Sequence, residues 1–278
     1  MNKLLSFMAV ALLSTNLFAY TDFDMDGVDD SIDKCPNTPF TDLVDINGCS
    51  KKSIATQKVS LSHYDIIIGA SYAGSNFASL NQTDVYSSTI QADYYYKNFS
   101  LQASTSYYKS TGTNYSNSGM NDSFIGAAYN LRPSEKLSVR LGVGLLLPTY
   151  DTSLNNNNTD YTATANLSYK LGKASVFGGA GYTIVNDDDV LSGTNPIYYQ
   201  NTPFYSAGLG YYFGQNFYLS ASYNVSKSIY KGVDDIKTAS AYAYYSLSAH
   251  TFLMFNYAYG LSDSASDNAA SVKLGFYF

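Results

Sequence analysis

Charge is scarce in this sequence. Asp, Glu, Lys and Arg supply 14% of its 278 residues, against about a quarter in an ordinary soluble domain. Arginine occurs only at Arg132 and Arg140, and the net charge is −6, which argues against nucleic-acid binding. Tryptophan is absent, and there are two histidines and two cysteines. Low charge does not mean disorder here, because 16% of the residues are aromatic and disordered chains are poor in aromatics. Beyond the first 20 residues no long apolar run exists, and mean hydropathy is −0.15. Membrane-spanning helices are thereby excluded. What is present is tyrosine, 29 of them, with abundant Ser, Gly and Asn. An outer-membrane β-barrel has this composition, and so does a secreted all-β protein.

The few charges are unevenly placed. Residues 20–50 contain eight Asp against Lys34, a net of −7, while residues 51–278 contain 14 basic and 14 acidic side chains. The acidity therefore belongs to a short N-terminal segment, and the two parts are read separately. Before it, Lys3, the apolar stretch Leu4–Leu13 and the small residue Ala19 have the layout of a signal peptide over 1–19, cleaved after Ala19. Export would place both cysteines in an oxidising compartment.

The segment Asp22-Phe-Asp24-Met-Asp26-Gly27-Val28-Asp29-Asp30-Ser-Ile-Asp33 carries carboxylates at positions 1, 3, 5, 9 and 12 of a loop and Gly at position 6. Calcium takes six to eight oxygen ligands, and this spacing wraps a chain around one ion. Without a cation, so many neighbouring carboxylates repel. An EF-hand needs flanking helices, and Cys35-Pro36 breaks an exiting one. The longer pattern, through Cys35-Pro-Asn-Thr-Pro39 to Val44-Asp45-Ile-Asn47-Gly48-Cys49, resembles a thrombospondin type 3 repeat, as found in bacterial envelope proteins of the OmpA kind. The resemblance implies Ca²⁺ bound by Asp22, Asp24, Asp26, the carbonyl of Val28, Asp30 and Asp33, with Asp45 and Asn47 available to another ion. Asp29 is expected to face solvent. Cys35 and Cys49 bracket the module. A disulfide between them closes a loop worth roughly 3 kcal/mol in the chain-entropy model, the alternative being two free thiols. So small a unit needs such staples.

After a polar linker over 51–62, residues 63–278 alternate with period two in segments of about ten residues. Examples are Leu137-Ser-Val139-Arg-Leu141-Gly-Val143 and Phe217-Tyr-Leu219-Ser-Ala221-Ser-Tyr223. The pattern predicts strands near 64–73, 86–96, 99–109, 122–131, 137–147, 160–170, 174–185, 203–213, 217–228, 236–247, 251–261 and 269–278. Short turns alternate with long polar loops, including a loop over 110–121. A sandwich has no reason for this alternation, whereas an outer-membrane barrel has short periplasmic turns and longer outer loops. The fold class is therefore all-β: a 12-stranded antiparallel transmembrane β-barrel behind a small calcium-binding, disulfide-stapled module. An even count places the module on the periplasmic side of the outer membrane of a Gram-negative bacterium. Tyr94, Tyr96, Phe99, Tyr211, Phe213 and Phe217 fall beside short turns, where an interfacial girdle in contact with lipid belongs. The end Val272-Lys-Leu274-Gly-Phe276-Tyr-Phe278 resembles the terminal-strand signal that outer-membrane proteins present to the barrel-assembly machinery.

With the apolar phase outward, Asp65, Gln91, Asp93, Gln102, Arg140, Asn166, Lys170, Asn224 and Lys273 are expected to line the lumen. Gly142, Gly144, Gly179, Gly181, Gly208 and Gly210 share that phase, consistent either with a widened lumen or with relief of curvature or room for an inward-folded loop. The stretch Phe124–Tyr182, with Leu145-Leu-Leu-Pro148-Thr149, resembles outer-membrane proteins of the meta-pathway of phenol degradation, although Tyr150 stands where that family has Gly. Such barrels are often taken as uptake channels. Catalysis needs a base beside its nucleophile, and His63 and His250 sit in no motif and read as surface residues. No enzyme is expected. The leading expectation is a channel for small polar solutes, and the alternative is a structural or adhesive protein acting through its outer loops.

Overall fold

The structure is a computed structural model and describes residues 28–29, 33–35, 38, 44–49, 62–76, 82–113, 115–150, 156–191, 196–214 and 216–278. The proposed signal peptide, most of the linker, and Asp22, Asp24, Asp26 and Asp30 lie outside the described residues.

Thirteen strands form one sheet: β1 (Ser62–Ser75), β2 (Thr83–Tyr96), β3 (Phe99–Gly112), β4 (Tyr115–Met120), β5 (Ser123–Ser134), β6 (Leu137–Leu147), β7 (Asp160–Leu171), β8 (Ala174–Ile184), β9 (Thr202–Tyr212), β10 (Phe217–Ser226), β11 (Ile236–Ser248), β12 (Thr251–Gly260) and β13 (Asn268–Tyr277). Every pairing is antiparallel between neighbours, and β1 pairs with both β2 and β13, so the sheet closes. Closure gives every strand except the short β4, which pairs only with β3, a partner on both sides. At the seam, the Tyr64 and Phe278 backbones exchange hydrogen bonds of 3.2 and 3.0 Å, and their rings stack at 5.1 Å.

The wall has twelve positions, because β4 and β5 share one. β5 pairs with the Phe99–Ser104 half of β3, and β4 pairs with its Tyr107–Gly112 half. The expected loop over 110–121 is therefore corrected to a β-hairpin. Tyr115-Ser-Asn-Ser-Gly-Met120 has no apolar alternation to announce a strand, yet backbone pairing needs none. β1 and β2 likewise run past their expected outer ends. There the Tyr72 hydroxyl donates to Asp84 over 2.9 Å, and Thr83 and Tyr115 hydroxyls meet at 2.8 Å.

Strand alternation sorts the side chains by face. Outward residues include Ile68, Ile90, Leu101, Val143, Leu167, Leu209, Phe255 and Val272, all exposed. No outward position in the middle of any strand carries a charge. Tyrosines, joined by Phe99, bound this apolar zone at both ends. Tyr86, Tyr107, Tyr161, Tyr182, Tyr205 and Tyr223 lie toward the long loops. Tyr64, Tyr94, Tyr96, Phe99, Tyr129, Tyr169, Tyr211 and Tyr245 lie toward the short turns.

The inward glycines serve close packing. A Cβ on Gly144 or Gly126 would strike the Phe124 ring; one on Gly208 would strike Phe177, on Gly181 Phe204, on Gly210 Tyr218 and on Gly275 Phe252. Inward rings thus lie over glycines of their own or a neighbouring strand. The space those glycines leave is filled, so the widened-lumen reading does not hold.

Candidate functional site

The inward phase of the strands encloses a cavity of about 250 Å³. Asp65, Gln91, Asp93, Gln102, Arg140, Asn166, Asn224 and Lys273 line it. Lys170 is placed elsewhere: it sits near the short-turn mouth, with its ammonium 5.7 Å from the Tyr212 ring centroid. Much of the remaining lining is small and polar, including Thr162, Thr164, Ser220, Ser222, Ser240 and Ser271.

The charges concentrate on one stretch of wall. Asp65 and Asp93 are direct register partners on β1 and β2 and face inward, 1% and 6% exposed. Gln91 donates from Nε2 to Asp93 over 2.7 Å. Arg140 on β6 and Lys273 on β13 lie close enough to act electrostatically on Asp93. Two carboxylates held side by side in a low-dielectric wall repel unless cations offset them, and these two basic residues supply that offset. Asp65 Oδ1 and Arg140 Nη1 are buried without a hydrogen-bond partner among the described residues.

Toward the short turns the lumen narrows through an aromatic collar. Phe252 stacks on Tyr244 at 5.3 Å and meets Tyr277 at 4.8 Å. Tyr212 and Tyr218 are 4.6 Å apart, and His63 stacks on Tyr95 at 4.5 Å. The Tyr244 and Tyr277 hydroxyls lie 3.2 Å apart. His63 is therefore an inward collar residue, which corrects its reading as a surface histidine. His250 remains in a short turn, its backbone N–H donating to Ser248 Oγ. Alternation alone could have found this collar, because Tyr218 and Tyr244 share the phase of the inward serines Ser220 and Ser246.

The N-terminal segment enters this mouth. Val28 packs against a buried cluster of Ile67, Tyr218, Tyr244, Phe252 and Met254. Asp29 is 3% exposed and lines the cavity. Its expected exposure to solvent is thereby corrected: the aspartate faces Asp65 and Tyr242 closely enough to act on both electrostatically. Sequence offered no signal for this contact, since Asp29 is one carboxylate among eight in the segment.

Behind Asp29 the chain is tied down. The Asp33 amide donates to the Asp29 carbonyl over 2.9 Å, and Lys34 donates to the Asn47 carbonyl over 2.8 Å. Cys35 and Cys49 form a disulfide with Cα atoms 4.9 Å apart. Asp33 Oδ1 accepts from the Cys35 amide at 2.7 Å. Asp45 Oδ1 accepts from the amides of Asn47 and Cys49, and Asn47 turns its side-chain Nδ2 toward Asp45 Oδ2. Asp45 and Asn47 thus form an Asx turn. Among the described residues no group of three metal-ligating side chains is present.

At the opposite end, the outer loops interlock through Asn and Asp. Asp122 Oδ1 accepts from the Tyr150 amide at 3.0 Å and from Asn157 Nδ2 at 2.8 Å. The Asn158 amide donates to Asp187 over 2.9 Å, and Asn158 Nδ2 donates to Asp188 over 3.2 Å. Asn156 Nδ2 donates to the Tyr199 hydroxyl over 3.0 Å. Burial, with the nearby charges of Asp122 and Asp188, raises the Asp187 carboxyl to about 6. Burial also raises that of Asp122.

Residues 91–251 match the family described as "Protein of unknown function (DUF3187)". The chain belongs to this family. No curated protein matches it. Among solved structures, the barrel is similar to that of the NanC porin, with a TM-score of 0.53 at 14% identity over 76% of this chain and 98% of that one. The KdgM porin superposes with a TM-score of 0.49 at 10% identity, covering 77% of this chain and 99% of that chain. The translocator domain of the autotransporter NalP from Neisseria meningitidis superposes with a TM-score of 0.49 at 14% identity, covering 79% and 89%. The NanC likeness shows the fold, a closed antiparallel barrel of the outer-membrane porin type.

Proposed function

We propose that this DUF3187 chain is an outer-membrane β-barrel of a Gram-negative bacterium that passes small polar solutes through its lumen. One observation carries the reading: the outward face is uncharged and apolar between two rings of aromatics, while the inward face holds the charged and hydroxylated side chains. That inversion suits lipid outside and water inside. The NanC and KdgM structures are named porins, which supports the same assignment. Single-channel recording in planar bilayers tests it. Discrete conductance steps are expected from the purified, folded barrel, and a barrel that never conducts refutes the channel.

A second reading, a structural or adhesive barrel, draws on the interlocked outer loops. Deleting the loop over 186–201 should then abolish attachment to surfaces and leave conductance intact. Assembly through the C-terminal strand accords with its place at the closing seam.

We further propose that the N-terminal segment is a periplasmic calcium-binding repeat. Asp22, Asp24, Asp26, Asp30 and Asp33, with the carbonyl of Val28, would supply hard oxygen ligands for one ion. Asp45 and Asn47, in a turn of their own, would be available to another ion. Bound calcium would neutralise the segment's carboxylates and fix its loop. Calorimetric titration of the full chain in detergent should show Ca²⁺ uptake that an Asp24→Asn, Asp26→Asn double variant loses. Equal heats from both proteins would exclude the site.

A further inference from the structure

The N-terminal segment makes a contact that a tethered periplasmic module does not need. Val28 seats on inward side chains of β1, β10, β11 and β12. Asp29 reaches deeper, and its charge acts on Asp65 of β1, Tyr95 of β2 and Tyr242 of β11. Around the closed sheet these strands are neighbours, interrupted only by β13, whose Tyr277 packs against the same cluster. The two residues therefore span about half of the collar, where the lumen is already narrowed by rings.

The seat combines opposite tendencies. Val28 buries apolar surface among aromatics, which favours docking. Asp29 brings a third carboxylate to a wall that already holds Asp65 and Asp93, which opposes it. Arg140 and Lys273 offset only part of that charge. A permanent structural anchor would avoid this repulsion, whereas a seat that must be left again is served by it. The tether is short: the Asp29 carbonyl accepts from Asp33, two residues before the disulfide-bonded Cys35. The staple thus sets where Val28 and Asp29 can lie.

We propose that Val28 and Asp29 act as a plug that obstructs the barrel at its short-turn mouth, with the Cys35–Cys49 staple as their holder. Unseating these two residues opens the collar and bares the Asp65–Asp93 wall to the lumen. The proposal rests on the channel reading above.

The test records single channels from the full-length protein in planar bilayers for wild type, Asp263→Asn and Val28→Asp. Asp263→Asn changes an exposed side chain in the loop after β12, at the opposite end of the barrel, and should match wild type. Val28→Asp places a charge among the rings and should raise open probability roughly tenfold or more, the shift expected when a seated valine gives up its apolar contacts. A second measurement needs no substitution: a membrane-impermeant reductant added to the chamber facing the short turns should open wild type, and added to the other chamber should not. Equal conductance from all three proteins, unchanged by the reductant on either side, overturns the plug and leaves the channel standing. Silence from every protein under every condition overturns the channel reading, and the plug with it.

Discussion

Ile90 offers the sharpest test of which solvent meets the barrel wall. It lies on the outward face of β2, 52% exposed, four residues from Tyr86 and four from Tyr94. At about 3.3 Å per residue, the run from Tyr86 to Tyr94 covers roughly 26 Å along the strand, or about 20 Å along the axis at a tilt of about 40°. Ile90 therefore sits at the middle of the apolar zone, with Ile68 beside it on β1. If that zone contacts lipid, Ile90→Arg places a cation near the bilayer midplane, at a cost of about 2–4 kcal/mol. If water surrounds the barrel, the same change is a surface substitution worth within about 0.5 kcal/mol either way. Tyr86→Arg, at the girdle, should cost only about 0–1 kcal/mol under the lipid reading. Reversible unfolding by guanidinium from lipid vesicles, followed by far-UV circular dichroism because the chain has no Trp, separates the cases. At about 1.4 kcal/mol per tenfold, the Ile90 variant should lose roughly 30- to 700-fold in its folding constant. An Ile90→Arg barrel as stable as wild type would refute the reasoning.

Two further predictions follow from the packing and the loops. Gly181→Ala drives a methyl into the Phe204 ring and should destabilise the barrel by about 1–3 kcal/mol in the same assay; adding Phe204→Leu should recover part of the loss, and no recovery would remove the ring as the cause. The Asp187 carboxyl is held at about 6 by burial and by the charges of Asp122 and Asp188, above its unfolded value of about 3.9. A raised folded pKa means that its contribution to loop order is fully present below about pH 4 and is lost as pH rises through about 6. Hydrogen exchange at the Asn158 amide, corrected for the intrinsic rate, should show more protection at pH 4.5 than at 7.5, and Asp187→Asn should flatten the dependence.

Alternation made most of the barrel legible. Segments such as Leu137–Val143 and Phe217–Tyr223 mark the outward and inward faces without ambiguity, because a pleated strand turns successive side chains to opposite sides. Two kinds of feature escaped. The β4 hairpin is held by backbone pairing and by polar side chains, so Ser116, Asn117 and Ser118 carry no hydrophobic period. The seat of Val28 and Asp29 joins residues far apart in sequence, and the local spacing that sets Asp30 at a ligand position left Asp29 facing solvent, with no sign of a distant partner. The glycines lay between these extremes. Their inward phase could be read directly, but that Phe124, Phe177 and Phe204 fold over them requires knowing which strands are neighbours at which register.

The distribution of charge ties these parts together. A barrel wall with lipid on one side can place its ionised groups only inward or beyond the girdles. In this chain the inward choice gathers Asp65, Asp93, Arg140 and Lys273 around one cavity. Two acids and two bases balance in formal charge on that wall. Asp29 adds a third carboxylate to the same cavity. The acidic segment and the neutral barrel, separate by composition, therefore meet in one electrostatic unit. On the plug proposal, seating Asp29 changes the formal charge that the lumen encloses, and unseating it restores the balance of the strands.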